Sequence, residues 1–105
     1  MYLCCMLLFN VTVIVEEASA AEWLEWMKEV HIPQVMETES FVSHRLLKIV
    51  DSPNEGISYC VQFIAENDTK YQSFLSSHEK QFIAEIYAKF PNKLVVFSTL
   101  MEFVA

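Results

Sequence analysis

The chain has 105 residues, 53% of them hydrophobic and 20% charged, which is typical of a single globular domain. Fourteen acidic and seven basic side chains give a formal net charge of -7, so the surface repels phosphate backbones and nucleic acid is not an expected partner. The odd set of cysteines, Cys4, Cys5 and Cys60, has no zinc-ligand spacing and cannot pair completely, which predicts a reducing, cytoplasmic location and no metal site.

The first residues are apolar but do not have the features of a targeting signal. Residues 1–9 contain no basic residue and no small-residue cleavage site, and the run is too short to span a bilayer. We therefore expect no association with a membrane. Because a strand pattern can start at Met6, we predict that residues 1–5 are an extension from an upstream start codon and that residues 6–105 form one domain.

The first predicted strand covers residues 8–16, where apolar and mixed positions alternate with the period of a β-strand. Ser19 and Glu22 have the spacing of a capping box, which predicts that a helix begins at this point. The helix carries a broad apolar side, and we expect Pro33 to end it. A short further turn is expected at residues 34–37.

The second half of the chain predicts a hairpin, a helix and a last strand. Residues 41–50 and 57–65 are rich in β-branched and large apolar residues, and the cluster between them, at residues 51–56, is typical of a turn. Asn67 or Asp68 is the predicted N-cap of the second helix, which continues to about residue 90 with a kink near Ser77. The last strand is expected at residues 94–104.

The order βαββαβ predicts an α+β fold, a ferredoxin-like two-layer sandwich with a four-stranded antiparallel sheet. Two helices can cover only one side of that sheet. The other side combines apolar with polar residues: Leu8, Asn10, Thr12, Ile14, Gln62 and Ile64. Such a surface is too apolar to stay exposed, so we expect two protomers to pair sheet against sheet as a homodimer, a dimeric α/β barrel.

Several segments resemble a family of uncharacterised small bacterial proteins, a domain of unknown function in the dimeric α/β-barrel superfamily: "FNVTVIVEE", "EWLEWMKEVHIP", "FVSHRLLKIV", "YCVQF", "YQSFLSSHEKQF" and "FSTLMEF". The similarity covers residues 6–104, and its most specific element is the pair of tryptophans followed by His-Ile-Pro. It implies the fold and a dimer but no established activity. Relatives in the superfamily include antibiotic-biosynthesis-type monooxygenases, some of which degrade haem, and small isomerases and decarboxylases.

The similarity to the haem-degrading relatives is partial. Those proteins have an asparagine on the first strand, as Asn10 is here, and an aromatic residue and a histidine on the second helix. Here the aromatic residue is Phe74 or Tyr71, and His78 is too close to Phe74 in sequence to match. We therefore expect no haem and no other cofactor.

Five residues allow more than one interpretation. Trp23 and Trp26 lie on one side of the predicted helix, either as core packing or as part of a ligand site. His31 is a helix-end cap, a core histidine, or the general acid or base of an enzyme. Either Arg45 or its neighbour His44 turns toward the dimer interior, where a charge needs an anionic partner, unless it is a solvated edge-strand charge.

Three functions are compatible with the sequence, and it does not decide whether the protein is an enzyme. The first is a homodimer that binds a small, partly apolar ligand between the sheets, through Asn10, Thr12, Trp23, Trp26, Arg45 and Gln62. The second is a cofactor-free monooxygenase or isomerase, with His31 as acid or base. In that enzyme Asn10, Arg45 and Gln62 would orient the substrate. The third is a structural interaction module that uses the acidic helix faces.

Overall fold

The structure, a computed structural model, describes residues 6–52 and 55–105; the predicted extension at residues 1–5 and two residues of the predicted turn lie outside these ranges. The elements follow each other in the predicted order. The strands are β1 (Leu7–Val15), β2 (Ser43–Lys48), β3 (Ile57–Ala65) and β4 (Leu94–Glu102). Helix α1 covers residues 20–37 after a short 3-10 turn, Glu17–Ser19, and helix α2 covers residues 68–89.

The four strands form one sheet in the order β2-β3-β1-β4, in which all neighbours are antiparallel. Each helix connects two strands that are not adjacent, which is the topology of the ferredoxin-like fold. At the centre of the sheet Val11 pairs with Val61 on one side and with Ser98 on the other. The predicted α+β fold is therefore confirmed.

The core lies between the sheet and the two helices. Phe9, Val11, Val13 and Val15 alternate along β1 and are all buried, because their common face is covered by the helices. The Phe9 ring lies 5.8 Å from the ring of Phe74 on α2. Both helices cover this one side, so the described elements leave the other side of the sheet open.

Each helix contains a π-helical turn at its middle, which corrects the predicted helix end at Pro33. In α1 the segment Ala20–Trp26 is followed by the π turn Met27–His31 and then by Ile32–Glu37. The Ile32 N–H bonds to the Met27 carbonyl, five residues back, so Pro33 occupies one of the first positions of a new α segment, where a missing N–H is tolerated.

The two helix starts differ. The predicted capping box is wrong: the Ser19 hydroxyl caps no backbone N–H and instead donates to the Glu16 carboxylate at 3.3 Å. The prediction for α2 is confirmed, because the Asn67 side chain accepts a hydrogen bond of 2.9 Å from the Lys70 N–H. The predicted kink near Ser77 falls within the second π turn, Leu75–Glu79.

Three predicted strands are one or more residues too long or displaced, and β3 matches its prediction at both ends. β1 begins and ends one residue earlier than predicted, and β4 ends at Glu102 instead of at residue 104. The prediction for β2 began at Phe41, but this ring is buried in the core, 5.1 Å from Phe63, outside the strand.

Candidate functional site

The side of the sheet that faces away from the helices is the candidate site, and we call it the open face. Its members follow from strand alternation and from the observed pairing. They are Leu8, Asn10, Thr12 and Ile14 on β1; Ser43, Arg45 and Leu47 on β2; Ser58, Cys60, Gln62 and Ile64 on β3; and Val95, Phe97, Thr99 and Met101 on β4.

A polar row crosses the middle of the open face, with one residue from each strand. Gln62 pairs with Arg45 on one side and with Asn10 on the other, and Asn10 pairs in turn with Thr99. Directly paired residues of antiparallel strands point to the same side of the sheet and lie within reach of each other. The register therefore aligns a guanidinium, two amides and a hydroxyl.

Hydrogen bonds fix the centre of this polar row. The Asn10 amide donates to the Thr12 hydroxyl at 2.9 Å, and the Gln62 amide donates to the Asn10 carbonyl oxygen at 3.3 Å. The Thr12 oxygen lies 3.7 Å from the Cys60 sulfur. Only 6% of Asn10 is exposed, so the network holds its neutral amide in place within the single chain.

Arg45 is the one charged residue of the open face over the described strands, and the face contains no carboxylate there. Its neighbour His44 pairs with Phe63 and belongs to the helix side, so the structure decides which of the two points away from the helices. A guanidinium that lost solvent here would need an acceptor from another molecule.

Apolar side chains flank the polar row on both sides. The next row joins Leu47, Cys60, Thr12 and Phe97, and the row beyond Gln62 in the other direction includes Ile64 and Met101. Phe97 is 54% exposed and Leu47 is 45% exposed. Large exposed apolar groups that surround a polar centre are typical of a surface that is covered by a partner.

His31 lies on the helix side of the sheet, away from the polar row. Its ring is 5.3 Å from Trp26 and 5.6 Å from Phe82, the side chain is 4% exposed, and Nδ1 has no hydrogen-bond partner among the described residues. Burial lowers its pKa from 6.5 to about 4, so the imidazole is neutral at pH 7. Because α1 continues past His31 into Ile32–Glu37, no helix ends there, so the predicted helix-end cap is wrong.

The two tryptophans also belong to the helix side. Trp23 is fully buried and stacks on Tyr59, with ring centres 4.9 Å apart, and Trp26 packs edge-on against Phe90 at 5.8 Å. The predicted site residues thus form two groups that the sheet separates. One group is Asn10, Thr12, Arg45 and Gln62 on the open face; the other is Trp23, Trp26 and His31 in the helix layer.

Thr99 and Phe97 belong to the open face but were not among the predicted site residues. Strand alternation from Leu94 would have placed both on one side of β4, together with Val95 and Met101. Which β1 residues they oppose depends on the register, and a shift of one residue would have exchanged the two faces.

The described residues show neither a metal centre nor a membrane span. No group of three or more His, Cys, Asp or Glu side chains in this part of the chain is arranged to hold a metal ion. Of the helices in residues 6–52 and 55–105, none is both long and apolar enough to cross a bilayer.

Solved structures similar to this chain share its fold at low sequence identity. SnoaB from Streptomyces nogalater, a cofactor-independent oxygenase, is 17% identical with a TM-score of 0.69, over 95% of this chain and 94% of that chain. A putative antibiotic biosynthesis monooxygenase from Nitrosomonas europaea is 8% identical with a TM-score of 0.70, over 99% and 95% of the two chains. A dimeric ferredoxin-like protein from an uncultured marine organism is 6% identical with a TM-score of 0.70, over 95% of each chain.

These similarities support the fold derived from the strand order and show nothing further about activity. No curated protein matches the sequence. A family model matches residues 6–104, almost the whole of the chain. The chain therefore belongs to the family described as a domain of unknown function, DUF4286.

Proposed function

We propose that the protein is a homodimer, paired through the open faces of its two sheets, and that it binds a small, partly apolar anion between them. The observation that carries the proposal is Arg45, the one charged residue among the open-face positions of the described strands, none of which is a carboxylate. Pairing the sheets would cover Phe97 and Leu47 but would also desolvate two guanidinium groups. A bound anion satisfies both groups.

The rest of the open face is suited to the other part of such a ligand. Asn10, Gln62 and Thr99 are neutral hydrogen-bonding groups beside apolar side chains, the usual lining of a small-molecule site. The similar protein from an uncultured marine organism is dimeric, which supports pairing as a solution available to this fold. The cytoplasmic location that the unpaired cysteines predict is part of the same proposal.

The assembly is tested by light scattering at micromolar concentration. We expect a particle of twice the 12.2 kDa chain mass, and Phe97→Glu should convert it to a monomer because two carboxylates would meet at the apolar part of the interface. Val104→Glu is the matched control, since Val104 is exposed and follows β4. A folded monomer of the unaltered chain would end the proposal.

Ligand binding is tested with anilinonaphthalene sulfonate, an aromatic anion whose fluorescence rises in apolar sites. Arg45→Gln should weaken its binding by roughly tenfold, since a charged hydrogen bond contributes about 1.5 kcal/mol or more. Lys70→Gln removes an exposed positive charge from α2 and should change little. Equal affinity of the Arg45→Gln and Lys70→Gln variants would show that Arg45 does not contribute to the anion site.

An enzyme related in activity to the similar oxygenase is the second candidate, supported by that structural similarity alone. The predicted acid or base, His31, contacts Trp26 and Phe82 in the helix layer, whereas the groups expected to orient a substrate lie on the open face. Ligand binding without His31 is therefore the better supported function. His31→Ala should leave the affinity for anilinonaphthalene sulfonate unchanged if the two sites are separate.

A further inference from the structure

A second cleft lies between the first half of α1 and the edge strand β2, and Leu47 is the one residue that it shares with the open face. It has a volume of about 400 Å³ and is lined by Leu24, Lys28, Leu46, Leu47, Lys48 and Tyr59. Leu24 and Lys28 are one helical turn apart, and Lys48 pairs with Tyr59 across the strands, which brings apolar and basic groups to the same cleft. We call it the α1–β2 cleft.

The charge of this cleft is opposite to that of the whole protein. Lys28 and Lys48 are two of only seven basic residues in a chain with a net charge of -7. Neither lysine forms an ion pair with any described residue, and no carboxylate lines the cleft. Three acidic residues of α1, Glu22, Glu25 and Glu29, line a different groove together with Lys89. The cleft is thus a locally basic part of an acidic protein.

Tyr59 adds a polar group that has no partner among the described residues. The residue is 7% exposed and its ring stacks on Trp23, so its position is fixed. Its hydroxyl has no hydrogen bond to the described residues, and the buried side-chain atoms there without a partner belong to Trp23 and His31. The Tyr59 hydroxyl is therefore not fully buried, and Tyr59 is one of the residues that line the cleft. A phenol can donate a hydrogen bond to a bound oxygen.

We propose that the α1–β2 cleft binds an aliphatic monocarboxylate. Its tail packs on Leu24 and Leu46, and its carboxylate lies between the Lys28 and Lys48 ammonium groups and accepts a hydrogen bond from Tyr59. A carboxylate matches two point charges and one hydroxyl, and the apolar wall excludes fully hydrophilic anions. The exposed position of both lysines makes the interaction sensitive to salt.

Octanoate is the probe, measured by isothermal titration calorimetry with the full chain, and octanol is the uncharged control. We expect octanoate to bind more tightly than octanol and to lose affinity as the sodium chloride concentration rises, whereas octanol binding should not weaken. The double variant K28Q/K48Q should lower octanoate affinity by roughly tenfold, and Tyr59→Phe by roughly threefold.

The matched control is K70Q/K80Q, which removes the same charge from exposed positions of α2. Equal losses in both double variants would mean a general charge effect and would overturn the site. The proposal would also be overturned if octanol bound as tightly as octanoate, or if octanoate did not bind at all. Binding of an acidic peptide in place of octanoate would overturn it as well. Circular dichroism of each variant verifies that the fold is retained.

Discussion

The His31 side chain is buried against Trp26 and Phe82, and this burial makes the stability of the fold depend on pH. The folded state protonates this imidazole only near pH 4, whereas the unfolded chain does so near pH 6.5. Between these values the unfolded state binds more protons, so stability falls as the pH falls through that window. Protonation of His31 therefore opposes folding in mild acid and has almost no effect at neutral pH.

We predict that the unaltered protein loses roughly 2 kcal/mol more stability between pH 7 and pH 5 than His31→Leu does, because the variant has no proton to bind at this position. Urea unfolding at the two pH values measures the difference. His44→Gln changes an exposed histidine and should behave as the unaltered chain does. Identical pH dependence in the unaltered protein and His31→Leu would show that folding does not lower the pKa of the imidazole.

Gly56, the only glycine of the chain, directly precedes β3 and lies close to the backbone at the end of β1. Its φ of +85° lies in the region that favours glycine, and an added Cβ would lie 2.6 Å from the Val15 carbonyl oxygen. Because that obstacle is backbone, Gly56→Ala should destabilise the protein by about 2 kcal/mol or more. Thermal unfolding measures the loss, and Glu55→Ala, at the adjacent exposed residue, should be nearly neutral.

The two helices begin differently, so removing the polar side chain at each start should lower stability by different amounts. Asn67→Ala removes the acceptor of the Lys70 N–H and should cost about 1 kcal/mol of stability, whereas Asn67→Asp should keep most of it. Ser19→Ala should cost less than about 0.5 kcal/mol, since Ser19 caps no backbone group. Equal losses at the two positions, measured by urea unfolding, would contradict this assignment of caps.

The elements also show how far the sequence determines the structure. Alternation from Ile57 to Ala65 is a local property, and it predicted β3 without error. The passage of α1 through Pro33 was not predictable, because a π turn depends on how Met27 and His31 pack against the sheet and α2. For the candidate site, alternation in the sequence correctly placed Asn10, Thr12 and Gln62 on one side of the sheet. The separation of Trp23 and His31 from them became clear only from tertiary packing.

For the whole molecule, the proposed homodimer would make the free energy of unfolding depend on protein concentration. If folding and pairing are coupled, a tenfold rise in protein concentration should increase the free energy of unfolding by about 1.4 kcal/mol per mole of dimer. Urea unfolding at several concentrations measures the change. Phe97→Glu should show no such dependence, and a constant midpoint for the unaltered protein would mean that folding does not require a second copy.

Strand β4 lies at one edge of the described sheet, and its composition has a consequence for storage and expression. Its residues Leu94 to Met101 include no charge, proline or glycine, whereas the opposite edge strand β2 carries Arg45 and Lys48. Charged side chains protect an edge against unwanted strand addition, and uncharged β-prone segments promote it. Fibrils formed on prolonged incubation should therefore contain β4 at their centre, and Ser98→Lys should delay their growth.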